Sequence, residues 1–218
     1  MATHSRYGHG AAFGWLAWGV LLLAPVPVAA RTLSPAQGFF DSLAAHCGKA
    51  YAGVIEKNEP ADPADPFIGK SLVMHVRECA DRVIRVPFHV GEDHSRTWVL
   101  TLVHDTQLQL QHDHRHADGS PDVLTLYGGS TAEAGDYRRQ AFPVDAGSKA
   151  LFTAQGREVS NSNTWALELD ERHFVYELSR PGGRLFRVRF DLGRPVAAPP
   201  PPWGAAPDAG RADAAEGH

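Results

Sequence analysis

Residues 107–119 read Gln-Leu-Gln-Leu-Gln-His-Asp-His-Arg-His-Ala-Asp-Gly, and the pattern of this stretch indicates the fold. Successive side chains of a β-strand point to opposite faces, so alternate residues share a face. One face would carry, in order, Leu108, Leu110, His112, His114 and His116. Asp118-Gly119 then supplies a dipeptide typical of hairpin turns. The stretch predicts an antiparallel strand whose apolar face ends in a row of imidazoles.

The same period of two continues on both sides of this stretch. Apolar residues alternate with polar ones in successive short segments, which predicts antiparallel strands with one buried face. The predicted inward rows are Leu72-Met74-Val76, Ile84-Val86-Phe88-Val90, Trp98-Leu100-Leu102, Trp165-Leu167-Leu169, Phe174-Tyr176-Leu178 and Phe186-Val188-Phe190, with further strands at Val123–Tyr127 and Arg138–Phe142. About nine strands in sequential hairpins favour an up-and-down β-barrel, because closure removes exposed sheet edges. A β-sandwich is the alternative that strand number does not exclude.

Two helices interrupt the mostly β pattern. Ser34-Pro35 can cap and open a helix that ends near Gly48. Asp145–Gly156 predicts a second, short helix towards the end of the domain, capped by Asp145 or Ser148.

The ends of the chain differ in composition from its middle. Residues 1–30 have a short polar start, an uncharged apolar run from Ala11 to Leu23 and small residues before Arg31, the layout of a secretory signal peptide. The apolar run is shorter than a membrane span requires. We therefore expect export to the periplasm or the extracellular space, with no membrane span after cleavage. Residues 31–194 would form a single barrel domain, and residues 195–218, rich in Pro, Ala and Gly, a disordered tail.

Charge and cysteine content narrow the possible partners and the compartment. The chain has 21 Lys and Arg against 25 Asp and Glu, a net charge of −4, which argues against nucleic acid as a partner. Cys47 and Cys79 are the only cysteines, and an isolated pair in an exported chain predicts one disulfide.

Four segments resemble a family of exported bacterial proteins with no assigned activity. They are residues 47–53 (Cys-Gly-Lys-Ala-Tyr-Ala-Gly), 87–98 (Pro-Phe-His-Val-Gly-Glu-Asp-His-Ser-Arg-Thr-Trp), 112–119 (His-Asp-His-Arg-His-Ala-Asp-Gly) and 127–129 (Tyr-Gly-Gly). The similarity spans roughly residues 38–194 and implies a periplasmic or secreted protein. The order of a helix followed by a meander is also similar to lipocalin-like (calycin) proteins, in architecture alone.

The histidine row is the candidate metal site. His112, His114 and His116 share a face, and two imidazoles at alternate positions of a strand can bind one divalent metal such as zinc. All three would span about 13 Å, too far for one ion, so a third ligand from a neighbour is expected. His94, His104 and Asp105 are the candidates for that ligand. The alternative is a polar strand end whose histidines bond to backbone carbonyls.

The aromatic residues Trp98, Tyr127, Trp165 and Tyr176 are the candidate ligand-binding set, although such residues also fill small barrels. Arg96 is expected to pair with Glu92, Asp93 or a distant Asp. We favour a binding module for a small-molecule ligand over two alternatives. These are a metal-dependent enzyme using the histidine row and a non-catalytic envelope protein acting through its surface. A solvent-connected interior would support the first hypothesis.

Overall fold

The computed structural model describes residues 1–2, 8, 32–61, 63–132 and 135–205. Most of the predicted signal peptide lies outside these ranges. In the described part of the chain, no helix is long and apolar enough to cross a membrane.

Within the described ranges, eleven strands form one antiparallel sheet. In chain order the strands are β1 (Ala50–Glu59), β2 (Leu72–His75), β3 (Glu78–Cys79), β4 (Val83–Val90), β5 (Asp93–Val103), β6 (Gln107–His114), β7 (Tyr127–Ser130), β8 (Arg139–Pro143), β9 (Thr164–Leu169), β10 (His173–Ser179) and β11 (Leu185–Val196). The predicted inward rows are the buried rows: Leu100, Leu110, Leu167, Phe174 and Val188, one from each of five strands, are at most 2% exposed. The mostly β prediction is confirmed.

The sheet closes on itself almost completely. Its strand order is β7-β6-β5-β4-β2-β1-β11-β10-β9-β8, with the short β3 paired to β4, so the first and last strands are neighbours. The two ends of this order, β7 and β8, are joined by an isolated bridge between Gly129 and Val144. This arrangement is a nearly closed barrel, as predicted, and not a β-sandwich.

The predicted strand Val123–Tyr127 is wrong in its position, because the strand lies later in the chain. β7 begins at Tyr127 and contains Gly128 and Gly129, which follow the end of the predicted strand. A β-carbon on Gly129 would lie 1.9 Å from the Pro143 carbonyl oxygen, so only glycine permits this close approach. Residues 122–126 instead form a loop, in which the Asp122 side chain accepts a hydrogen bond from the Leu124 amide at 2.7 Å.

The histidine-rich strand ends earlier than predicted. β6 stops at His114, and Arg115 pairs only in an isolated bridge with Pro121. The turn is where the sequence predicts it, since the Gly119 amide donates to the His116 carbonyl and Gly119 has φ +85°. His116 therefore belongs to a turn and not to the strand face.

The first helix closes one end of the barrel. α1 (Pro35–Ala44) is capped by Ser34, whose Oγ accepts a hydrogen bond from the Gln37 amide at 3.0 Å. Ser34 also donates to the carbonyl of Asp105, in the β5–β6 turn. Phe39 and Leu43 are fully buried and belong to the same core cluster as the barrel interior.

The second helix lies near the other end of the barrel. α2 (Ala146–Ala154) is capped by Asp145, whose side chain accepts a hydrogen bond from the Ser148 amide at 2.7 Å. Ser148 in turn accepts a hydrogen bond from the Gly128 amide at 2.8 Å. Both predicted helices are therefore present, and α2 is fixed directly to β7.

The predicted disulfide is confirmed. Cys47 and Cys79 are bonded, and both residues are exposed. The bond joins the segment that follows α1 to β3.

The C-terminal segment has more structure than its composition predicts. β11 continues to Val196, beyond the expected boundary at 194. Further on, the Trp203 amide donates to the His94 carbonyl at 3.1 Å, and the Trp203 ring lies beside that histidine. Residues 195–205 therefore contact the barrel. Residues 206–218 of the predicted tail lie outside the described ranges.

Candidate functional site

A cavity of about 380 Å³ lies at the end of the barrel opposite α1. Its walls come from β4, β5, β6, β7, β9, β10 and β11. The rim is completed by α2, by the segment between α2 and β9, and by the loops β1–β2, β6–β7 and β10–β11. The exposed side chain of Arg157 is part of the lining, so the cavity reaches the protein surface. Its volume lies at the lower end of the range of roughly 300–1,000 Å³ that is usual for small-molecule pockets.

Eight aromatic side chains form a large part of the wall. The structure brings the four predicted ligand-binding residues, Trp98, Tyr127, Trp165 and Tyr176, around this one cavity. The rings of Trp98 and Tyr176 are stacked with centroids 4.5 Å apart and an interplanar angle of 10°. Phe67, Phe88, Phe152 and Phe186 complete the aromatic lining. Such a surface suits a flat or apolar molecule, because aromatic faces stack on rings and pack against aliphatic groups.

His112 is a buried, fully hydrogen-bonded part of the wall. Its ring is 4% exposed, with Nδ1 lying 3.2 Å from the Tyr127 carbonyl oxygen and Nε2 lying 2.9 Å from the Tyr176 hydroxyl. Burial lowers the pKa of His112 to about 3, so the ring is neutral at physiological pH. A carbonyl oxygen only accepts, so Nδ1 carries the proton and Nε2 accepts from Tyr176.

His114 is also neutral, for a similar reason. Burial, assisted by the nearby Arg96 guanidinium, lowers the pKa of His114 to about 4. Its Nε2 lies 3.2 Å from the Tyr127 hydroxyl, and its ring lines the cavity next to that tyrosine. The polar side of the cavity therefore contains two uncharged imidazoles at neutral pH.

The third histidine of the row is separate from the cavity. The His116 side chain is 57% exposed, and its Nε2 is 4.0 Å from a carboxylate oxygen of Asp122. Within the described ranges, no group of three or more His, Cys, Asp or Glu side chains is arranged to hold a metal ion. His112, with both ring nitrogens bonded to protein groups, would have to lose one of these bonds to bind zinc.

The residues proposed as a third metal ligand lie elsewhere. His104 and Asp105 are in the β5–β6 turn, at the end of the barrel that α1 closes. His94 lies near the cavity end, but its ring contacts His89 at a centroid distance of 4.6 Å and Trp203 at 6.3 Å. The structure therefore does not bring these residues to the pair His112 and His114.

His89, which contacts His94, is buried. It is 3% exposed, and neither ring nitrogen has a hydrogen-bond partner among the described atoms. Burial, with the adjacent His94 and His75, lowers the pKa of His89 to about 4. His89 is therefore a third neutral, buried imidazole, outside the cavity.

Arginines at the rim are functional candidates that the sequence reasoning missed. Four of them line the cavity: Arg96, Arg157, Arg180 and Arg184. Three extend inward apolar rows by one more period of two, since Arg96 precedes Trp98, Arg180 follows Leu178 and Arg184 precedes Phe186. The alternation that places His112 after Leu110 also places these arginines, so the signal was present in the sequence.

The loop between β1 and β2 forms part of the rim. Its Phe67 ring packs against Phe186 with centroids 4.8 Å apart and against Phe88 at 5.9 Å. The guanidinium of Arg96 lies over the same ring, 5.4 Å from its centroid. Arg184 holds this loop to the barrel through an ion pair with Asp65 at 3.1 Å. The loop thus covers part of the opening.

Comparisons with known proteins place the chain in no family. No family model matches it, and no curated protein matches it. Among solved structures, a redesigned β-barrel aligns with 73% of this chain and 97% of its own length, at 9% sequence identity and a TM-score of 0.30. A likeness at that score carries no argument here. The predicted kinship with exported bacterial proteins stays a prediction.

Proposed function

We propose that this chain is an exported protein that binds a small, apolar or aromatic molecule in the open end of its barrel. The observation that carries the proposal is the cavity of about 380 Å³, walled by eight aromatic side chains. A barrel whose interior was meant only for packing would be filled at both ends. In this barrel α1 fills one end, and the other end has room for a ligand.

Polar groups among the rings would fix the orientation of the ligand. Ligand pockets typically combine apolar walls with a few placed polar groups. The Tyr127 hydroxyl and the amide of Asn163 line the cavity, and the Asn163 Oδ1 has no hydrogen-bond partner among the described residues. Asn163 is 5% exposed, so this oxygen would otherwise be a buried acceptor without a donor. A bound molecule with a hydrogen-bond donor would satisfy it.

Export agrees with the rest of the molecule. The signal-peptide pattern of residues 1–30 and an exposed disulfide both suit an oxidising compartment. The neutral, hydrogen-bonded state of His112 favours a binding wall over a metal-dependent catalytic centre.

A fluorescence titration with N-phenyl-1-naphthylamine, a neutral aromatic probe, tests the proposal. We expect saturable binding at one site, with energy transfer from Trp98 and Trp165, which line the cavity. The variant Leu178→Trp should fill part of the cavity and weaken binding. The matched control Val54→Trp changes a 54% exposed side chain and should leave binding unchanged.

Two results would contradict the proposal. One is the absence of saturable binding, and the other is equal binding by wild type and Leu178→Trp. If the titration supports the proposal, native mass spectrometry of protein purified from its own compartment would identify the natural ligand, because it reports organic molecules and metals in the same spectrum.

A further inference from the structure

We infer that the ligand of this cavity carries an anionic group, a carboxylate, phosphate or sulfate, which Arg180 binds at the rim with help from Arg157. This inference rests on the proposed binding function and adds the chemical class of the ligand. The molecule would have an apolar body against the aromatic wall and a negative head at the opening.

The position of the charges supports this arrangement. The stacked rings of Trp98 and Tyr176 belong to the strand walls of the cavity, whereas the arginines are at the ends of strands and in the rim loops. Of the described residues that line the cavity, one is acidic, Asp122, against four arginines. The lining histidines His112 and His114 are neutral, so they do not alter this balance at physiological pH.

Two of the four arginines are already used by the protein. Arg96 forms an ion pair with Asp93 and lies over the Phe67 ring. Arg184 binds the side chains of Asn58 and Asp65, which fixes the β1–β2 loop. Their charges are therefore largely compensated within the protein, and their positions are set by structural contacts.

The other two arginines lack such partners. Arg180 is half-buried, and its Nε is shielded from solvent without a hydrogen-bond partner among the described residues. Burial and the neighbouring Arg184 both lower the pKa of Arg180, which means that its surroundings disfavour the positive charge. Arg157 is exposed, and its side chain forms no hydrogen bond or ion pair in the described part of the protein.

A half-buried guanidinium without a counter-charge is unfavourable, because it loses hydration and gains no ion pair in return. An anion bound at the rim would supply the missing ion pair and so stabilise the charged guanidinium. Carboxylate, phosphate and sulfate groups match the planar fork of a guanidinium and form paired hydrogen bonds with it. The Arg180-Pro-Gly-Gly-Arg184 turn, in which the Arg180 amide donates to the Arg184 carbonyl at 3.0 Å, holds the backbone of Arg180 in place.

Two probes with the same ring system separate the anionic group from the apolar body. N-Phenyl-1-naphthylamine is neutral, and 8-anilino-1-naphthalenesulfonate is the same molecule with a sulfonate added. For the wild-type protein we expect the sulfonate to bind roughly tenfold more tightly, the scale of one charge-assisted hydrogen-bonded pair. The variant Arg180→Gln should bring the ratio of the two affinities close to one. Saturable binding of the neutral probe by this variant shows that it is folded.

Two further variants sharpen the comparison. Arg157→Gln should reduce the advantage less, since this side chain is exposed. Arg194→Gln removes the same charge from an exposed site near the other end of β11 and should change neither affinity. Equal affinities of the wild type for both probes would overturn the inference and leave the proposed function standing. Failure of both probes to bind would overturn the proposed function as well. An equal effect of Arg194→Gln and Arg180→Gln would overturn the role of Arg180, because it would show nonspecific charge attraction.

Discussion

Three neutral histidines, two buried and one half-buried, should make the folded state sensitive to mild acid. His89, His112 and His114 have pKa values of about 4, 3 and 4, all lowered chiefly by burial from an ordinary value of 6.5. In the unfolded chain each ring binds a proton below pH 6.5, whereas in the folded protein it stays neutral. The unfolded state therefore binds more protons in this range, and stability falls as the pH falls.

The size of the effect follows from the depressed pKa values. Each histidine removes about 1.4 kcal/mol of stability per pH unit once the pH is well below 6.5 and still above its folded pKa. Between pH 7 and pH 5.5 one such ring contributes a loss of about 1.2 kcal/mol, and the three together a loss of about 4 kcal/mol. A typical domain has a total stability of about 5–15 kcal/mol, so this loss would be a large part of it.

Denaturant unfolding at pH 7.0, 6.0 and 5.5, followed by circular dichroism, measures this loss directly. The variant His89→Leu should remove about one third of the pH dependence, because His89 is one of the three titrating rings. Leucine is a suitable replacement, since the ring of His89 makes no hydrogen bond that would be lost. The variant His116→Gln is the matched control, since that side chain is 57% exposed. If wild-type stability at pH 5.5 stayed within about 1 kcal/mol of its value at pH 7, the argument from burial would be refuted.

Three further predictions concern stability. Reduction of the exposed Cys47–Cys79 bond should lower the free energy of unfolding by about 3–4 kcal/mol, the entropy of closing a loop of this length, as measured by denaturant titration with and without dithiothreitol. Gly129→Ala should lower the free energy of unfolding by at least about 1–3 kcal/mol, because the new β-carbon would lie 1.9 Å from the Pro143 carbonyl oxygen. Unchanged thermal stability would contradict this. Truncation after Val196 should lower the melting temperature by removing Trp203 from the surface of His94, and an unchanged melting temperature would show that this contact contributes nothing.

The alternation of apolar and polar residues was sufficient to predict antiparallel strands with one buried face, and it favoured a barrel without excluding a β-sandwich. Apolar rows such as Phe174-Tyr176-Leu178 are buried together in a shared interior. The starts of the two helices could be predicted because the capping residues Ser34 and Asp145 are local signals. The strand at 123–127 was misplaced because Gly128 and Gly129 are ordinarily turn residues. Here the two glycines allow β7 to approach its neighbours closely, and these neighbours are far away in the sequence, so the local sequence pattern does not reveal the contact.

The candidate site was predictable where it lies on strands and not where it depends on loops. The wall residues Trp98 and Tyr176 could be assigned, as could the inward direction of His112. The alternation of inward and outward residues also places Arg180 on the inward face, but charged residues at strand ends are usually assigned to the protein surface. Phe67 lies on a loop whose position depends on an ion pair between residues far apart in the chain, so only the structure identifies it.

The incomplete closure between β7 and β8 has a consequence for how this barrel deforms. Elsewhere neighbouring strands are joined by ladders of hydrogen bonds, but here a single bridge at Gly129 and a few contacts from α2 and its cap join the two edges. Sideways separation of the wall therefore breaks fewer bonds at this seam than between the laddered strands. The seam also runs beside Tyr127, which lines the cavity. The barrel is therefore least tightly closed beside its cavity, and the pairing of β1 with β11 lies on the opposite side, in the middle of the strand order.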